Sequence, residues 1–296
     1  MSAAPPAQPV PGVPPWPDPE LGQWVTVPPR GGEEPQLECW LSLPPQGPAR
    51  VGVLVLPEIF GINPWVRSVA GRLALAGYAA LVVPLFSRTA PGLALGYDAD
   101  AVRVGRAHKE RTTAPQLLAD LSRAAAWLVE VQPGLAAGLG CVGFCFGGHV
   151  AMLAASLAPV RASCDFYGAG VATGRPGGGA PSLDGVAASP ARLLCLCGSE
   201  DPLIPAAEVA AIGTALTAAN AHRPPSDDHR LLTLPAGHGF LCEARADFRP
   251  EAAAAGWQAL LAFFADTLAP GGSASFREPR ADSKDGLEGR RSRQPR

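Results

Sequence analysis

Long uninterrupted apolar runs are missing from this chain, and so are paired cysteines and an excess of charge of either sign. The longest apolar stretch, residues 73–86, is broken by Gly77 and Pro84, well short of the ~20 apolar residues that a bilayer-spanning helix needs. The N-terminus lacks the basic start and apolar segment of a secretory leader. A formal net charge of -2 gives no electrostatic footprint for nucleic acid or an anionic membrane. The seven cysteines are odd in number and lie mainly inside apolar runs (Cys39, Cys141, Cys145, Cys164, Cys195, Cys197). That distribution excludes a disulfide framework and implies a reduced, cytoplasmic protein. Cys195-x-Cys197 is not C-x-x-C, and strand alternation puts both thiols on one face, so no metal site is expected.

What is present is a globular composition, 47% hydrophobic over 296 residues, with Gly 34 and Pro 33. Residues 1–20 are rich in proline and alanine and read as a disordered arm, and the charged residues 271–296 as a disordered tail. Between them, 21–270 reads as one domain. Two alternating segments, residues 23–27 and 36–43, are separated by Pro-Pro-Arg-Gly-Gly and form an antiparallel hairpin. From Val51 the pattern changes to Val-Gly-Val-Leu-Val-Leu56, a continuous apolar run of the kind buried on both faces of a parallel sheet. Asn63-Pro64 caps and opens a helix to about Ala76, and Gly77 ends it. Further strands are expected at 78–83, 139–145, 160–167, 191–197 and 230–234. Helices are expected at 114–131, behind Cys145, at 206–220 and at 252–268. Residues 87–112 read as a polar lid or loop with a short helix, and 168–189 as loop. Strands alternating with helices imply an α/β fold, a mostly parallel sheet covered on both faces.

The sharpest local signal is Gly143-Phe-Cys-Phe-Gly147, the thiol version of the nucleophile elbow G-x-S-x-G, at a strand-to-helix turn. Such a turn holds its central residue under backbone strain, and bulk two residues to either side would clash with the crossing chain. It also aims a helix N-terminus at the sulfur, which favours thiolate and leaves N–H groups for an oxyanion. A buried structural cysteine at a Gly-rich junction is the alternative. Two further residues decide between them. Asp201, in Gly-Ser-Glu-Asp-Pro, and His238, in Ala-Gly-His-Gly-Phe, both follow strands. Functional groups of an open α/β sheet gather at the carboxyl ends of strands. The order nucleophile, acid, histidine is that of α/β-hydrolases. Glu200 is the rival acid, and spacing separates it from Asp201 only modestly. The other histidines lie in polar stretches (His108, His222), open a strand (His229), or sit on the elbow helix pointing away or packing (His149).

Val55-Leu-Pro-Glu-Ile-Phe-Gly-Ile-Asn63, the stretch from Gly77 to Gly92, Gly143-Phe-Cys-Phe-Gly-Gly148, Phe166-Tyr-Gly168, Gly198-Ser-Glu-Asp201 and Gly237-His-Gly-Phe240 resemble the dienelactone hydrolases (carboxymethylenebutenolidases). The resemblance runs from about Val51 to Leu268. It implies an α/β-hydrolase fold and a Cys145–His238–Asp201 triad, with Glu58 as a carboxylate beside the resting thiol. It further implies an oxyanion hole from the backbone N–H groups of Phe146 and Ile59, and Arg88 as a holder of a substrate carboxylate. Arg245 is the candidate for a second substrate arginine, placed later after the histidine than in the dienelactone enzymes. No metal or organic cofactor is implied. The expected partner is a small ester or lactone, with the protein a monomer or weak homodimer. A general carboxylesterase of the same fold, or a non-hydrolytic binding or thiol-redox protein, stays open at this level.

Overall fold

A computed structural model describes residues 21–135 and 138–268. The expected arm at 1–20 and tail at 271–296 lie outside the described residues. The apolar runs become an eight-stranded sheet: β1 (Gln23–Val27), β2 (Leu37–Ser42), β3 (Val51–Leu56), β4 (Tyr78–Val82), β5 (Leu139–Phe144), β6 (Val160–Phe166), β7 (Arg192–Gly198) and β8 (Arg230–Leu234). Their spatial order is β1-β2-β4-β3-β5-β6-β7-β8. The expected hairpin pairs antiparallel with Trp24 opposite Trp40, and β2 joins β4 antiparallel. All remaining pairs are parallel. Among the described residues six α-helices accompany the sheet: α1 (Pro64–Leu75), α2 (Ala99–Lys109), α3 (Ala114–Val131), α4 (Phe146–Ala154), α5 (Ala206–Asn220) and α6 (Pro250–Leu268).

Local chemistry explains the boundaries. Asn63 accepts the Val66 N–H at 3.2 Å and Pro64 takes the first helical position of α1, whose amides have no intrahelical partner anyway. Gly77, at φ 96°, ends α1 in a conformation that costs only glycine little. Asp98 caps α2 through Ala101 N–H, and Thr113 caps α3. Every residue of β3 and β5 is buried, as their unbroken apolar sequences require. Trp65, Trp257, Phe144, Phe166 and Leu54 are among the fully buried side chains. Each such Leu or Phe contributes ~1.5–3 kcal/mol of transfer free energy.

A segment read as loop carries regular structure. Residues 168–189 include a 3-10 helix at Ser182–Ala188, and Pro225–Asp227 forms another short turn of the same kind. Neither has the 3.6-residue apolar period that would have marked it. The polar stretch after β4 holds an eleven-residue helix, α2, whose only buried residues are Ala101 and Gly105. Gly105 lies so close to the Ile59 carbonyl that a methyl group there would overlap it. The strap before α2, 93–95, is bonded to the loop after β3 through Ile62 N–H to Leu93 O and Leu95 N–H to Phe60 O. The chain runs from β3 outward to β4 and then back across to β5, so the strand order reverses between β3 and β5. A crevice opens at such a reversal, at the carboxyl ends of the strands. Among the described residues no helix is long and apolar enough to cross a membrane.

Candidate active site

Cys145 ends β5 at φ 54° and ψ -117°, a region that costs a non-glycine residue ~1–3 kcal/mol. The packing around it explains why the strain persists. Its N–H is bonded to Phe166 O at 3.0 Å and its C=O accepts from His149 N–H at 3.1 Å, fixing the turn at both ends. A side chain at Gly143 would overlap the Gly147 carbonyl, and one at Gly147 the Leu56 carbonyl. Both glycines of the elbow are therefore steric requirements. Replacing Gly143 with alanine should lower stability by about 3 kcal/mol, since backbone on both sides must move. Urea unfolding would show this as a lower midpoint at unchanged slope, and an unshifted midpoint would contradict the packing argument. The first N–H groups of α4, that of Phe146 included, have no intrahelical acceptor and open beside the sulfur.

His238 follows β8 and Asp201 follows β7, adjacent strands in parallel register. The His238 Nδ1 lies 2.8 Å from Asp201 Oδ2, with both residues buried. Asp201 Oδ1 accepts the Leu203 N–H at 2.8 Å, which fixes the carboxylate plane. The rival, Glu200, is exposed. Burial works against charge on His238, but the charge of Cys145 and the hydrogen bond to Asp201 outweigh it and raise the imidazole to about 10.

The loop after β3 brings Glu58 into the same crevice. Its Oε1 accepts from Arg245 Nη1 at 2.8 Å, while Oε2 is buried with no hydrogen-bond partner among the described residues. Burial pushes the Glu58 carboxyl up, and Arg245 and His238 pull against it. Arg245 reaches the crevice despite its distance in sequence from His238, because the intervening loop folds back on itself. Glu243 anchors that loop to α1, accepting from Trp65 Nε1 at 2.8 Å and pairing with Arg72 at 2.6 Å. Gly239, at φ 83°, lets the guanidinium lie directly over its backbone; a Cβ there would sit 2.6 Å from Arg245 Cζ. Arg88 stands apart from these contacts. Its Nη2 bonds Asp120 Oδ1 of α3 at 3.0 Å, and its Nη1 is buried with no partner among the described residues.

Cys145, His238, Asp201, Glu58 and Arg245 therefore come together, with Ile59 next to Glu58 and Phe146 next to Cys145. Phe146 is held in place by ring stacking on Phe86, centroids 5.9 Å apart and planes 1° apart. Three residues of this neighbourhood were not singled out from sequence. Tyr167 places its ring edge-on to His238 at 5.3 Å. Asp165 is buried beneath the elbow, pushed up to about 7 by burial, and accepts the Gly168 N–H at 2.7 Å. Asp120 engages Arg88. The signal for the first two was at hand, since Asp165 and Tyr167 bracket the carboxyl end of a central strand. His149 is not merely packed: its ring nitrogens meet Ala169 O at 3.0 Å and Ser182 Oγ at 2.7 Å. Among the described residues no group of three or more His, Cys, Asp or Glu side chains could hold a metal ion.

Comparison with known proteins decides what this arrangement belongs to. Residues 38–268 match the Dienelactone hydrolase family. The chain is a member of that family. A Synechocystis protein named "Putative carboxymethylenebutenolidase" is 36% identical over 217 residues, covering 73% of this chain and 86% of the relative. A Bradyrhizobium protein named "Probable 2-oxo-3-(5-oxofuran-2-ylidene)propanoate lactonase" is 30% identical over 213 residues, covering 71% and 82%. Among solved structures, the "Putative Dienelactone Hydrolase" of Klebsiella pneumoniae superposes with a TM-score of 0.72 at 28% identity, covering 82% of this chain and 98% of its own. The dienelactone hydrolase assignment makes this chain a hydrolase with the α/β-hydrolase fold, as the resemblance of its motifs implied.

Proposed function

We propose that this dienelactone hydrolase opens a small lactone or ester bearing a carboxylate, through an acyl-thioester on Cys145. The observation that carries the reading is one crevice holding the buried His238–Asp201 pair beside the strained thiol and the part-buried Arg245–Glu58 pair. The Cys145 thiolate attacks the substrate carbonyl, and the N–H groups of Phe146 and Ile59 receive the developing oxyanion. The acyl C–O bond then breaks, the ring oxygen leaves as an enolate or alkoxide and takes the proton that the thiol gave up, and the acyl group remains on sulfur. His238, now neutral and oriented by Asp201, takes a proton from water, which attacks the thioester and releases the thiolate.

Arg245 is the cation placed to meet a substrate carboxylate. A guanidinium offers five donors in a planar fork, and one is committed to Glu58. A substrate carboxylate that takes over this guanidinium leaves Glu58 without its counter-charge. Its carboxylate then becomes more basic next to the thiol, so Glu58 can accept the thiol proton when substrate is present. Arg88, with its buried free Nη1, is the second candidate contact.

A panel of lactones and acyl esters, with and without a carboxylate, tests the reading on wild type, Arg245→Gln and Arg88→Ala. Arg245→Gln should lower kcat/KM for the carboxylate-bearing members ~10–100-fold, the worth of a hydrogen bond to a charged group, and change the neutral members little. Equal losses on both sets would remove the anionic substrate and leave a general carboxylesterase.

A further inference from the structure

Around Cys145 three buried polar atoms have no hydrogen-bond partner among the described residues: His238 Nε2, Glu58 Oε2 and Tyr167 Oη. The first two have roles above. Tyr167 has none, and its geometry is as constrained as that of the nucleophile. It is one of two non-glycine residues of positive φ among the described residues, at 44°, the other being Cys145. The two are linked, since β5 and β6 pair Phe144 with Phe166, immediately before each of them. Three contacts hold the turn in this conformation: Tyr167 N–H to Leu196 O at 2.8 Å, Gly168 N–H to Asp165 Oδ1 at 2.7 Å, and Cys145 N–H to Phe166 O at 3.0 Å. The ring is fully buried, edge-on to His238 at 5.3 Å and to Phe240 at 5.1 Å.

A buried hydroxyl left without a partner costs ~1–3 kcal/mol, and a strained backbone adds to that. Such costs persist at sites where a ligand supplies the missing partner. The surroundings say which kind of ligand group. Burial first, then the charges of Glu58 and Cys242, push the Tyr167 phenol well up, with Arg245 pulling against them and Cys145 adding to the rise. The phenol is therefore a neutral donor at working pH, standing within the fields of both Arg245 and the thiol. An oxygen that accepts from it and carries negative charge satisfies the orphan hydroxyl and lies next to the arginine.

We propose that Tyr167 is a substrate-binding residue whose hydroxyl donates to the substrate carboxylate held by Arg245. This rests on the carboxylate-bearing substrate argued above. The turn at β6 would then fix the anionic end of the substrate relative to Cys145.

Tyr167→Phe removes the oxygen alone and keeps the ring, so kinetics of the full-length variant read the hydroxyl directly. For a carboxylate-bearing lactone, KM should rise about 10-fold with kcat within about 2-fold, as expected for a donor lost to a charged acceptor. For a neutral acyl ester both constants should stay within about 2-fold, and the thermal midpoint should hold or rise. Unchanged constants on the lactone overturn the proposal. So does an equal loss on both substrates, or a fall in kcat at constant KM. If wild type turns over the neutral ester but not the lactone, the anionic substrate itself is wrong and the tyrosine's role falls with it. A lactone rate that Arg245→Gln lowers and Tyr167→Phe does not leaves the substrate class standing and rejects only the tyrosine.

Discussion

Cys145→Ala is expected to reduce turnover of any lactone or activated ester by about 10³-fold or more, while leaving the protein folded. The magnitude follows from losing covalent catalysis altogether: no other thiol can replace it at the crevice. Cys141, Cys164 and Cys195 lie fully buried in β5, β6 and β7, and burial pushes their thiols up, to about 12 for Cys141. Cys242 is buried beside Glu58 and Tyr97 and is likewise pushed well up by burial. Cys145 is the partly exposed cysteine among the described residues. Alanine in its place keeps the Cβ and meets the same strain at φ 54°, so thermal unfolding should move little. Steady-state assays and acid-quenched mass spectrometry check this together. Wild type should carry the substrate's acyl mass on one cysteine, and the variant none. Full activity in the variant would end the thioester mechanism.

Asp201→Asn comes next in size, with kcat expected to fall about 10³–10⁴-fold and stability to change far less. The side chain keeps its shape and can still bond the imidazole, but an amide that turns its NH₂ toward Nδ1 stabilises the wrong tautomer. The imidazolium that forms as His238 takes a proton from water also loses the charge 2.8 Å away. Glu200→Gln, one residue earlier and exposed, serves as the control and should be silent. Comparable losses at both positions would mean that the turn acts as a unit and that Asp201 has no special place. A silent Asp201→Asn would move the acid elsewhere, with buried Asp165 the next residue to change.

Much of the scaffold was legible because its signals are local. Continuous apolar runs, an Asn-Pro helix start and the Gly-x-Cys-x-Gly turn each need only a few neighbouring residues. The resulting strands differ from expectation by a residue or two at their ends. What escaped was structure that borrows its stability from elsewhere. The 3-10 helix at Ser182–Ala188 has too few residues for a period, and the bounds of the short helix expected within 87–112 were not marked, because α2 buries only Ala101 and Gly105. Tyr167 was part of a quoted Phe-Tyr-Gly run, yet its positive φ comes from bonds to β7 and to the Asp165 carboxylate. Arg88 was expected at a substrate carboxylate; it lies in the turn after β4 and its partner, Asp120, on α3, a pairing that could not be inferred from spacing.

Sequence by itself pointed to Cys145, to the order Cys145, Asp201, His238 along the chain, and to the sheet that carries them. Each is written in residues close together along the chain, or in an order along it that the parallel crossovers preserve. Only the tertiary structure decided between Asp201 and Glu200, because a one-residue difference in a turn becomes a choice between a buried carboxylate and an exposed one. It alone brought Arg245 onto Glu58, through Glu243 clamped against Trp65 and Arg72. It alone left the Tyr167 hydroxyl buried without a partner. Those outcomes depend on side chains 178 and 187 residues apart meeting across strand ends, and no local pattern encodes such a meeting.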